Sequence, residues 1–454
     1  MSDQDDSQPE TSGVVLFAGG TDFENMMRKF PVKGKQPTEA EVERNDFYQD
    51  LLAPHRLLSL ETIKVRFVAS GCAALHALVI DVNGNAYVWG RNVEGQLGLG
   101  DRVQRNQPVL VPEITDAVWG SCGRAHTVFV QADGKALSSG DNKLGQLGNA
   151  GDTTQFERFG SVSLSKKVTK AVCGSDFTLL LTDEGALYAC GSGENGCLGD
   201  GNTHTYNSKT HSIKMEVEPQ PKPKLIHGLD NVTNMAAGVN HSVCVTEAGS
   251  VFTWGCGDYG RLGHGVQKDE LRPRRLEWFS GPRAAPTECL LTCGGTSTML
   301  SGPHGTFWWG KVKTSGDAMM TPMMCDDLRG WHVRSLSASK TTFGVSAESS
   351  AILWGQAIHG ELAGGANGKK TSARPAKCMP VEGMITLQVA CGNGFTIFLM
   401  DDSESNNRKK ISSFALYEAS ELDPFASTAA VEEDSQKAPP KKKAAGRGKR
   451  KRGQ

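Results

Sequence analysis

Short apolar runs that end at a glycine recur along this chain of 454 residues. The clearest one extends from Val251 to Trp254, stops at Gly255 and passes into a loop of closely spaced glycines that reaches His264. Such runs are typical of β-strands, and the glycines that follow are typical of tight turns. Strands of this kind end at Gly90, Gly140, Gly191, Gly255, Gly310 and Gly355. Their spacing of about 50 residues is the length of one four-stranded propeller blade.

A second pattern lies upstream of each of these strands. It is a short apolar run, then small residues and a glycine, and often a histidine, as in Ser121-Cys-Gly123 with His126. It occurs seven times, whereas only six strands end at a glycine in the way described above, so one such strand is missing. Residues 14–20 have the character of that missing strand, and residues 391–400 have the character of the half-blade that lacks it. The sequence therefore predicts an all-β, seven-bladed β-propeller, closed by the N-terminal strand joining the C-terminal blade, which leaves no free sheet edge.

The repeats assign residues 13–402 to the propeller. Residues 1–12 are acidic and polar, and we expect them to be disordered. Residues 21–63 form an excursion between the first strand and the first complete blade, with a helical pattern between Thr38 and Leu52. Residues 200–228 fill the longest gap between repeats and are predicted to protrude as a loop. That loop is either a binding element or a neutral surface insertion.

We expect residues 403–454 to be a disordered tail whose segment 441–452 is strongly basic. The segment carries eight positive charges and no negative charge, at Lys441, Lys442, Lys443, Arg447, Lys449, Arg450, Lys451 and Arg452. Such a block cannot fold alone and stays solvated. It is typical of a nuclear import signal, with DNA or RNA contact as an added role, and the alternative is a merely solubilising tail. Import would give a nuclear location.

Composition changes this interpretation little. The chain is 38% apolar and 22% charged, with a formal net charge of −1, as is ordinary for globular proteins. The N-terminus has no basic region followed by an apolar one, and the chain has no run of about 18 apolar residues. We therefore expect neither a secretory signal nor a membrane span.

The twelve cysteines do not have the spacing of a metal site. Cys122, Cys173, Cys293 and Cys391 share one repeat position, so the ring would spread them apart rather than gather them. We interpret them as buried reduced thiols, and we expect no metal and no cofactor.

Recurring polar residues also have a structural interpretation. His76, His126 and His241 recur by blade and are expected to form hydrogen bonds at blade turns. The sequence contains no supported pairing of a nucleophile with a base and no phosphate-binding loop, so no catalytic residue is named.

The densest polar stretch beside a repeat follows Gly255. Charged residues with a tyrosine on a ring-face loop suit a protein interface, and the alternative is a solvated loop between strands. The candidate partner-binding residues are Asp258, Tyr259, Arg261, His264, Lys268, Asp269, Glu270, Arg272 and Arg274. His264 lies one residue beyond the glycine loop, where it could point at a partner.

These repeats resemble the regulator of chromosome condensation (RCC) repeat, whose members form seven-bladed propellers. The Gly-Gln-Leu-Gly loops at 95–98 and 145–148, the Cys-Gly…His pattern and the period carry the resemblance, which covers about residues 14–402. Within the family, the chain is most similar to the branch of the second regulator, the telophase-disc branch. The stretches that carry this are Ala53-Pro-His-Arg56, Tyr259 to His264 with Gln267 to Glu270, and Asp327 to Trp331 with Arg334 to Leu336.

The resemblance implies binding to a small GTPase of the Ras superfamily, Ran-like or Rac-like, and association with chromosomal or spindle proteins during division. That branch typically carries its basic tail at the N-terminus, whereas the basic segment here is C-terminal, so its tail contacts are not carried over. Three functions stay open: an adaptor that binds and regulates the GTPase, a genuine guanine-nucleotide exchange factor, and a chromatin binder acting through the tail. A ring that closes on itself is expected to be a monomer.

Overall fold

The structure, a computed structural model, describes residues 12–26, 38–151, 155–208, 215–312 and 316–425. Seven antiparallel blades follow one another around a central channel, as predicted from the repeats. Each blade has four strands, with its first strand at the channel and its fourth at the circumference, and a bridge between Gly13 and Val65 joins the last blade to the first.

Blades 1 to 3 come first along the chain. Blade 1 contains β3 (Val65–Ala69), β4 (His76–Asp81), β5 (Ala86–Gly90) and β6 (Arg105–Leu110). Blade 2 contains β7 (Ala117–Cys122), β8 (His126–Gln131), β9 (Ala136–Asp141) and β10 (Gln155–Ser161). Blade 3 contains β11 (Val168–Cys173), β12 (Phe177–Thr182), β13 (Leu187–Gly191) and β16 (Gln220–Leu225).

Blades 4 to 6 follow the same order. Blade 4 contains β17 (Val232–Ala237), β18 (His241–Thr246), β19 (Val251–Gly255) and β20 (Glu270–Arg275). Blade 5 contains β21 (Leu290–Cys293), β22 (Ser297–Gly302), β23 (Gly305–Gly310) and β24 (Met319–Met324). Blade 6 contains β25 (Val333–Ala338), β26 (Thr342–Ala347), β27 (Ser350–Gln356) and β28 (Thr371–Lys377).

Blade 7 is assembled from both ends of the described chain. It contains β29 (Thr386–Gly392), β30 (Phe395–Asp401), β1 (Gly13–Gly19) and β2 (Leu51–Leu57). β1 pairs with β30 over its whole length, from Gly13 opposite Asp401 to Gly19 opposite Phe395. The predicted closure by the N-terminal strand is confirmed, and β2 completes the blade as its outer strand.

The antiparallel order gives the ring two different faces. The turns between first and second strands and the glycine loops between third and fourth strands share one face, which we call the glycine face. The hairpins between second and third strands and the blade-to-blade connections share the other, which we call the hairpin face. The core lies between neighbouring blades, where Trp89, Trp254, Trp309 and Trp354 are almost fully buried.

The segment 200–228 is less of a protrusion than predicted. β14 (Thr205–Asn207) pairs with β15 (Met215–Val217) as a small separate hairpin. Residues 220–225, by contrast, form β16, which pairs with β13 as the outer strand of blade 3. The expectation of one loop through residue 228 is wrong, because the proline-rich run Gln220-Pro-Lys-Pro-Lys-Leu225 lies at a sheet edge, where proline is tolerated.

The expectation of disorder from residue 403 is wrong for residues 403–425. They form α2 (Ser405–Ser413) and β31 (Leu416–Tyr417), and β31 pairs in parallel with β2. The chain then crosses to the outer strand of blade 1, where Asn106 donates its backbone N–H to the carbonyl of Glu421 over 2.8 Å. The segment thus fills the junction at which the ring closes.

The excursion after β1 contributes to the same junction. It holds α1 (Glu39–Phe47), whose N-cap is Thr38, within the predicted helical stretch. Tyr48 donates a hydrogen bond to the buried carboxylate of Asp423 over 2.6 Å, and Arg44 lies 3.1 Å from the same group. These contacts anchor the folded part of the C-terminal segment, which composition alone did not indicate.

The predicted acidic N-terminus, apart from residue 12, and the basic segment 441–452 lie outside the described residues. None of the helices in the described part is long and apolar enough to cross a membrane.

Candidate interaction surface

Neighbouring blades are joined by a repeated hydrogen-bond relay. In blade 2, Nε2 of His126 lies 3.1 Å from Oγ1 of Thr178 in blade 3. Thr178 donates its hydroxyl hydrogen to the carbonyl of Gln146 in the blade 2 loop over 2.7 Å. The hydroxyl oxygen is therefore left to accept from Nε2–H, which sets the tautomer of the imidazole.

The same His-to-Thr contact recurs at His76 with Thr127 and at His241 with Thr298, over 2.8 and 2.9 Å. Burial lowers the pKa of His126 to about 4 and the pKa of His76 and His241 to about 3, so all three are neutral at physiological pH. The prediction that they are hydrogen-bonding residues at blade turns is confirmed.

The glycine of the Gly…His pattern has a steric cause. A Cβ at Gly123 would lie 2.1 Å from the ring of His126, and a Cβ at Gly238 would lie 2.3 Å from the ring of His241. The imidazole thus packs directly on the glycine backbone, and any side chain there would displace it.

The glycine loop of blade 4 departs from this repeat chemistry. In blade 2, the side-chain oxygen of Gln146 accepts the backbone N–H of Leu144 over 3.0 Å. The equivalent residue in blade 4 is Arg261, which cannot accept. Gln267 replaces it by accepting the N–H of Tyr259 over 3.1 Å.

Arg261 is buried and joins two blades. Its guanidinium donates to the carbonyl of Asp258 over 2.9 Å and to the carbonyl of Gly295 in blade 5 over 3.1 Å. Its own carbonyl accepts from Thr298 over 2.9 Å, as the carbonyl of Gln146 does from Thr178. Arg261 therefore shapes the loop from inside and is not presented to a partner.

Tyr259 is the most prominent side chain of this loop. It is 43% exposed on the glycine face, although its φ of 59° lies in the left-handed region that non-glycine residues avoid. The guanidinium of Arg261 lies 5.8 Å from its ring centroid, and the ammonium of Lys311, just after β23 of blade 5, lies 5.2 Å away. An exposed aromatic ring flanked by two cations suits contact with an acidic protein surface.

The structure divides the remaining candidates by position. Asp258 and Lys268 are exposed beside Tyr259 on the glycine face. Asp269 is half-buried, accepting from the backbone of Gly257 over 2.8 Å and from Asn195 of blade 3 over 2.9 Å. His264 turns inward, with Nε2 2.9 Å from Oγ1 of Thr253, and burial lowers its pKa to about 4.

The last candidates lie on β20, at the circumference. Glu270 and Arg274 form an ion pair of 2.6 Å with each other. Arg272 is exposed, but its guanidinium packs so closely over Gly201 of blade 3 that a Cβ there would lie 2.6 Å from it. These residues face a different direction from Tyr259, so the nine candidates are not one continuous surface.

Sequence reasoning missed two residues of this surface. The sequence does not single out Gln267, because its hydrogen bond with the backbone of Tyr259 depends on where the loop turns back. Lys311 follows Gly310, more than fifty residues from Tyr259 in the chain. Only the tertiary structure brings it to the ring of Tyr259, in the loop of the preceding blade.

The buried thiols have no features of a reactive site. All twelve cysteines are buried and unpaired, and burial raises the pKa of Cys173 and Cys391 to about 12. Within the described ranges, no group of three or more His, Cys, Asp or Glu side chains could hold a metal ion.

A ring of seven blades with Gly…His turns and glycine loops defines the class. The sequence model of the "Regulator of chromosome condensation (RCC1) repeat" matches residues 83–130, 184–245 and 248–300, and a second model of the same description matches 168–197 and 232–261. The chain is thus an RCC1-repeat propeller.

Relatives that align with most of this chain identify its family within this class. The protein RCC2 homolog of Xenopus laevis is 34% identical over 426 residues, which cover 90% of this chain and 81% of that protein. Human protein RCC2 is 32% identical over 423 residues, covering 89% of this chain and 79% of that protein. The chain belongs to the RCC2 family, as the resemblance predicted.

Solved structures agree on the fold. The crystal structure of human WBSCR16 superposes with a TM-score of 0.66 at 21% identity, covering 86% of this chain and all of that one. Prp20p from Saccharomyces cerevisiae, whose structure was described with its binding to Gsp1p and histones, superposes with a TM-score of 0.65 at 16% identity, covering 89% of this chain and 95% of that one.

Proposed function

We propose that this chain is a protein-interaction propeller that binds and regulates a small GTPase of the Ras superfamily, Ran-like or Rac-like, through the glycine face of blade 4. The observation that supports it is Tyr259, an exposed aromatic ring held in a left-handed conformation between two cations. Strain of this kind persists only where the surroundings impose it, and it recurs at binding sites. The described association of Prp20p with Gsp1p and histones agrees with a GTPase or chromosomal partner.

The interface consists of Tyr259, Asp258 and Lys268, with Arg261 supporting the loop from below. The ring acts as a monomer and presents this face while the rest of the circumference stays solvated. Association with chromosomal or spindle proteins, and a nuclear location set by residues 441–452, belong to the same proposal.

Binding is tested with the full-length chain and GDP-loaded Ran-like and Rac-like GTPases, by biolayer interferometry. The double substitution Tyr259→Ala and Lys268→Glu should weaken the complex at least tenfold, about 1.4 kcal/mol. Lys135→Glu, an exposed change on the hairpin face, is the matched control and should leave the affinity unchanged. Equal affinities for the double variant and the control would refute the assignment of this face.

The alternative function is genuine nucleotide exchange on the same GTPase. It needs no covalent chemistry, because a loop that displaces the phosphate and magnesium contacts of the GTPase favours the nucleotide-free state. Release of fluorescent GDP decides between the two. Strong acceleration by the wild type, lost in the Tyr259→Ala/Lys268→Glu variant, indicates an exchange factor, whereas binding without acceleration indicates an adaptor.

A third possibility is a chromatin-binding protein that acts through its basic tail. Contacts from eight cations to phosphates would make the affinity for DNA fall steeply with salt. Removal of residues 436–454 should then abolish DNA binding while GTPase binding persists. DNA binding that survives the deletion unchanged would eliminate this possibility.

A further inference from the structure

The central channel is closed at the glycine face. The turn between β3 and β4 is two residues longer than its counterparts, with five steps from Gly71 to His76 against three from Gly123 to His126. The extra length places Cys72, 3% exposed, in the lining of the channel together with Cys173 of blade 3 and Cys293 of blade 5. Cys72 therefore lies near the axis and blocks that end, which leaves the hairpin face as the open mouth.

The open mouth is lined by cations. Arg66, Lys170 and Arg334 come from near the beginning of the first strands of blades 1, 3 and 6, which are well separated around the seven-bladed ring. Among the described residues that line the channel there is no aspartate or glutamate. Three positive charges thus stand on different sides of the mouth, with no carboxylate of the described lining to neutralise them.

Contacts of the three cations leave capacity for a ligand. Arg66 donates to the backbone carbonyls of Asp81, over 3.1 Å, and of Ala117, and Arg334 donates to the carbonyl of Glu348. A guanidinium has five N–H groups, so each keeps others for an anion. The ammonium of Lys170 lies 5.3 Å from the ring centroid of Trp119.

Two further properties restrict the class of ligand. Burial lowers the pKa of Lys170, because the charged ammonium loses hydration. A bound anion would compensate the ammonium for that loss. The cavity of about 490 Å³ lies within the range of roughly 300–1,000 Å³ typical of small-molecule sites. Below the cations the lining is neutral and includes the hydroxyl groups of Ser121, Ser335 and Thr292.

We infer that the open mouth of the channel binds the phosphate group of a small phosphate ester, with Lys170 and the rim residues Arg66 and Arg334 contacting the phosphate and the channel walls taking the organic body. Guanidinium and ammonium donors arranged around an axis match the several oxygens of a phosphate. This site lies on the opposite face from Tyr259 and does not depend on the GTPase proposal.

The experiment is calorimetric titration of the full-length chain in 150 mM salt with inositol 1,4,5-trisphosphate, inorganic phosphate, citrate and myo-inositol. Inositol trisphosphate should bind one per chain, more tightly than inorganic phosphate, and myo-inositol should not bind. Lys170→Met and Arg334→Gln should each weaken the binding at least tenfold. Lys222→Gln, which removes an exposed cation from β16, is the matched control and should have no effect. Ligand that binds only the basic tail would bind the Lys170→Met variant as tightly as the wild type.

Each other outcome overturns part or all of the inference. No saturable binding at millimolar ligand, or equal weakening by Lys222→Gln and Lys170→Met, removes the site. Equal affinity for citrate shows that the mouth selects charge rather than phosphate. Inorganic phosphate binding as tightly as the ester shows that the channel does not take the organic body. Arg334 is exposed, so its variant remains informative if Lys170→Met alters folding.

Discussion

The glycine loops of blades 2 and 4 share a backbone and differ in what their side chains do. In both, the carbonyl in the middle of the loop accepts a hydrogen bond from a threonine of the next blade, over 2.7 Å to Gln146 and 2.9 Å to Arg261. Only blade 2 keeps the glutamine that accepts a backbone N–H within its own loop. The contact between blades thus depends on the main chain, and the side chain at this position is free to diverge.

This division explains how blade 4 can present Tyr259 without losing its place in the ring. Gln267 takes over the hydrogen bond that the glutamine would have accepted, and Arg261 adds a contact with blade 5. Repeat proteins are stabilised by each unit and by its contacts with neighbours, so a loop may change its exposed residues while these contacts persist.

The largest expected effect comes from breaking the shared contact in both blades. Thr298→Val deprives the N–H of His241 of its acceptor and the carbonyl of Arg261 of its donor, both in a buried site. We expect a loss of about 2–4 kcal/mol in the free energy of unfolding, measured by urea titration. Thr178→Val, which breaks the equivalent contact of blade 3 with the loop of blade 2, should cost a similar amount. A small effect of Thr298→Val alone would show that the two contacts are not equivalent.

Acid should destabilise the fold through the buried histidines of both contacts. The folded-state pKa of His241, about 3, lies below the unfolded value of about 6.5, so the unfolded chain binds the proton first. The neutral imidazole's contribution is intact above pH 6.5 and declines as the pH falls towards the folded pKa. Each buried histidine should remove about 2 kcal/mol between pH 6.5 and 5. His241→Gln should reduce that pH dependence by one proton, and an unchanged slope would contradict the assignment.

Restoring the repeat residue in blade 4 should have a smaller cost. Arg261→Gln removes the donor to the carbonyl of Gly295 but supplies an acceptor for the N–H of Tyr259. We expect a loss of about 1–2 kcal/mol in unfolding free energy. Gln267→Ala should be less harmful in this background than in the wild type, because the new glutamine replaces its role. Additive effects in the double-mutant cycle would contradict that exchange of roles.

The smallest effect concerns backbone strain. Tyr259→Gly relieves the left-handed conformation and should raise stability by at most about 1 kcal/mol, read as a higher melting temperature. Asn195→Gly, at the equivalent position of blade 3 with a φ of 56°, is the matched comparison. It should gain less or lose stability, since asparagine tolerates this region better than tyrosine and its side chain donates to Asp269 over 2.9 Å. A destabilised Tyr259→Gly would mean that the ring's contacts with Arg261 and Lys311 outweigh the strain.

Much of the fold could be predicted because its causes are local and repeated. The glycine beside His126 and the strand ending at Gly255 each follow from short-range sterics, so they are visible in a single repeat and recur in others. The closure of blade 7 could also be predicted, since counting repeats exposes one missing strand. The folded segment around Asp423 could not, because its stability depends on Tyr48 and Arg44, which are distant in sequence.

The sequence located the candidate surface along the chain, but it could not assign a role to each residue of that surface. Nine neighbouring residues share one polar composition, yet the structure exposes Tyr259, buries Arg261 and turns His264 inward. Composition cannot distinguish these positions, because exposure depends on which atoms of blades 3 and 5 occupy the space around the loop.

The sequence by itself determined that this protein is a seven-bladed ring of RCC1 repeats with a basic C-terminal segment. The repeat length, the steric need for glycine and the charge of a segment can each be recognised from neighbouring residues alone. Only the tertiary structure decided which loop residues reach solvent, which cations (Arg66, Lys170 and Arg334) line the central channel, and how residues 403–425 fold. Each of these depends on side chains brought together from different blades, and such contacts exist only once the ring has closed.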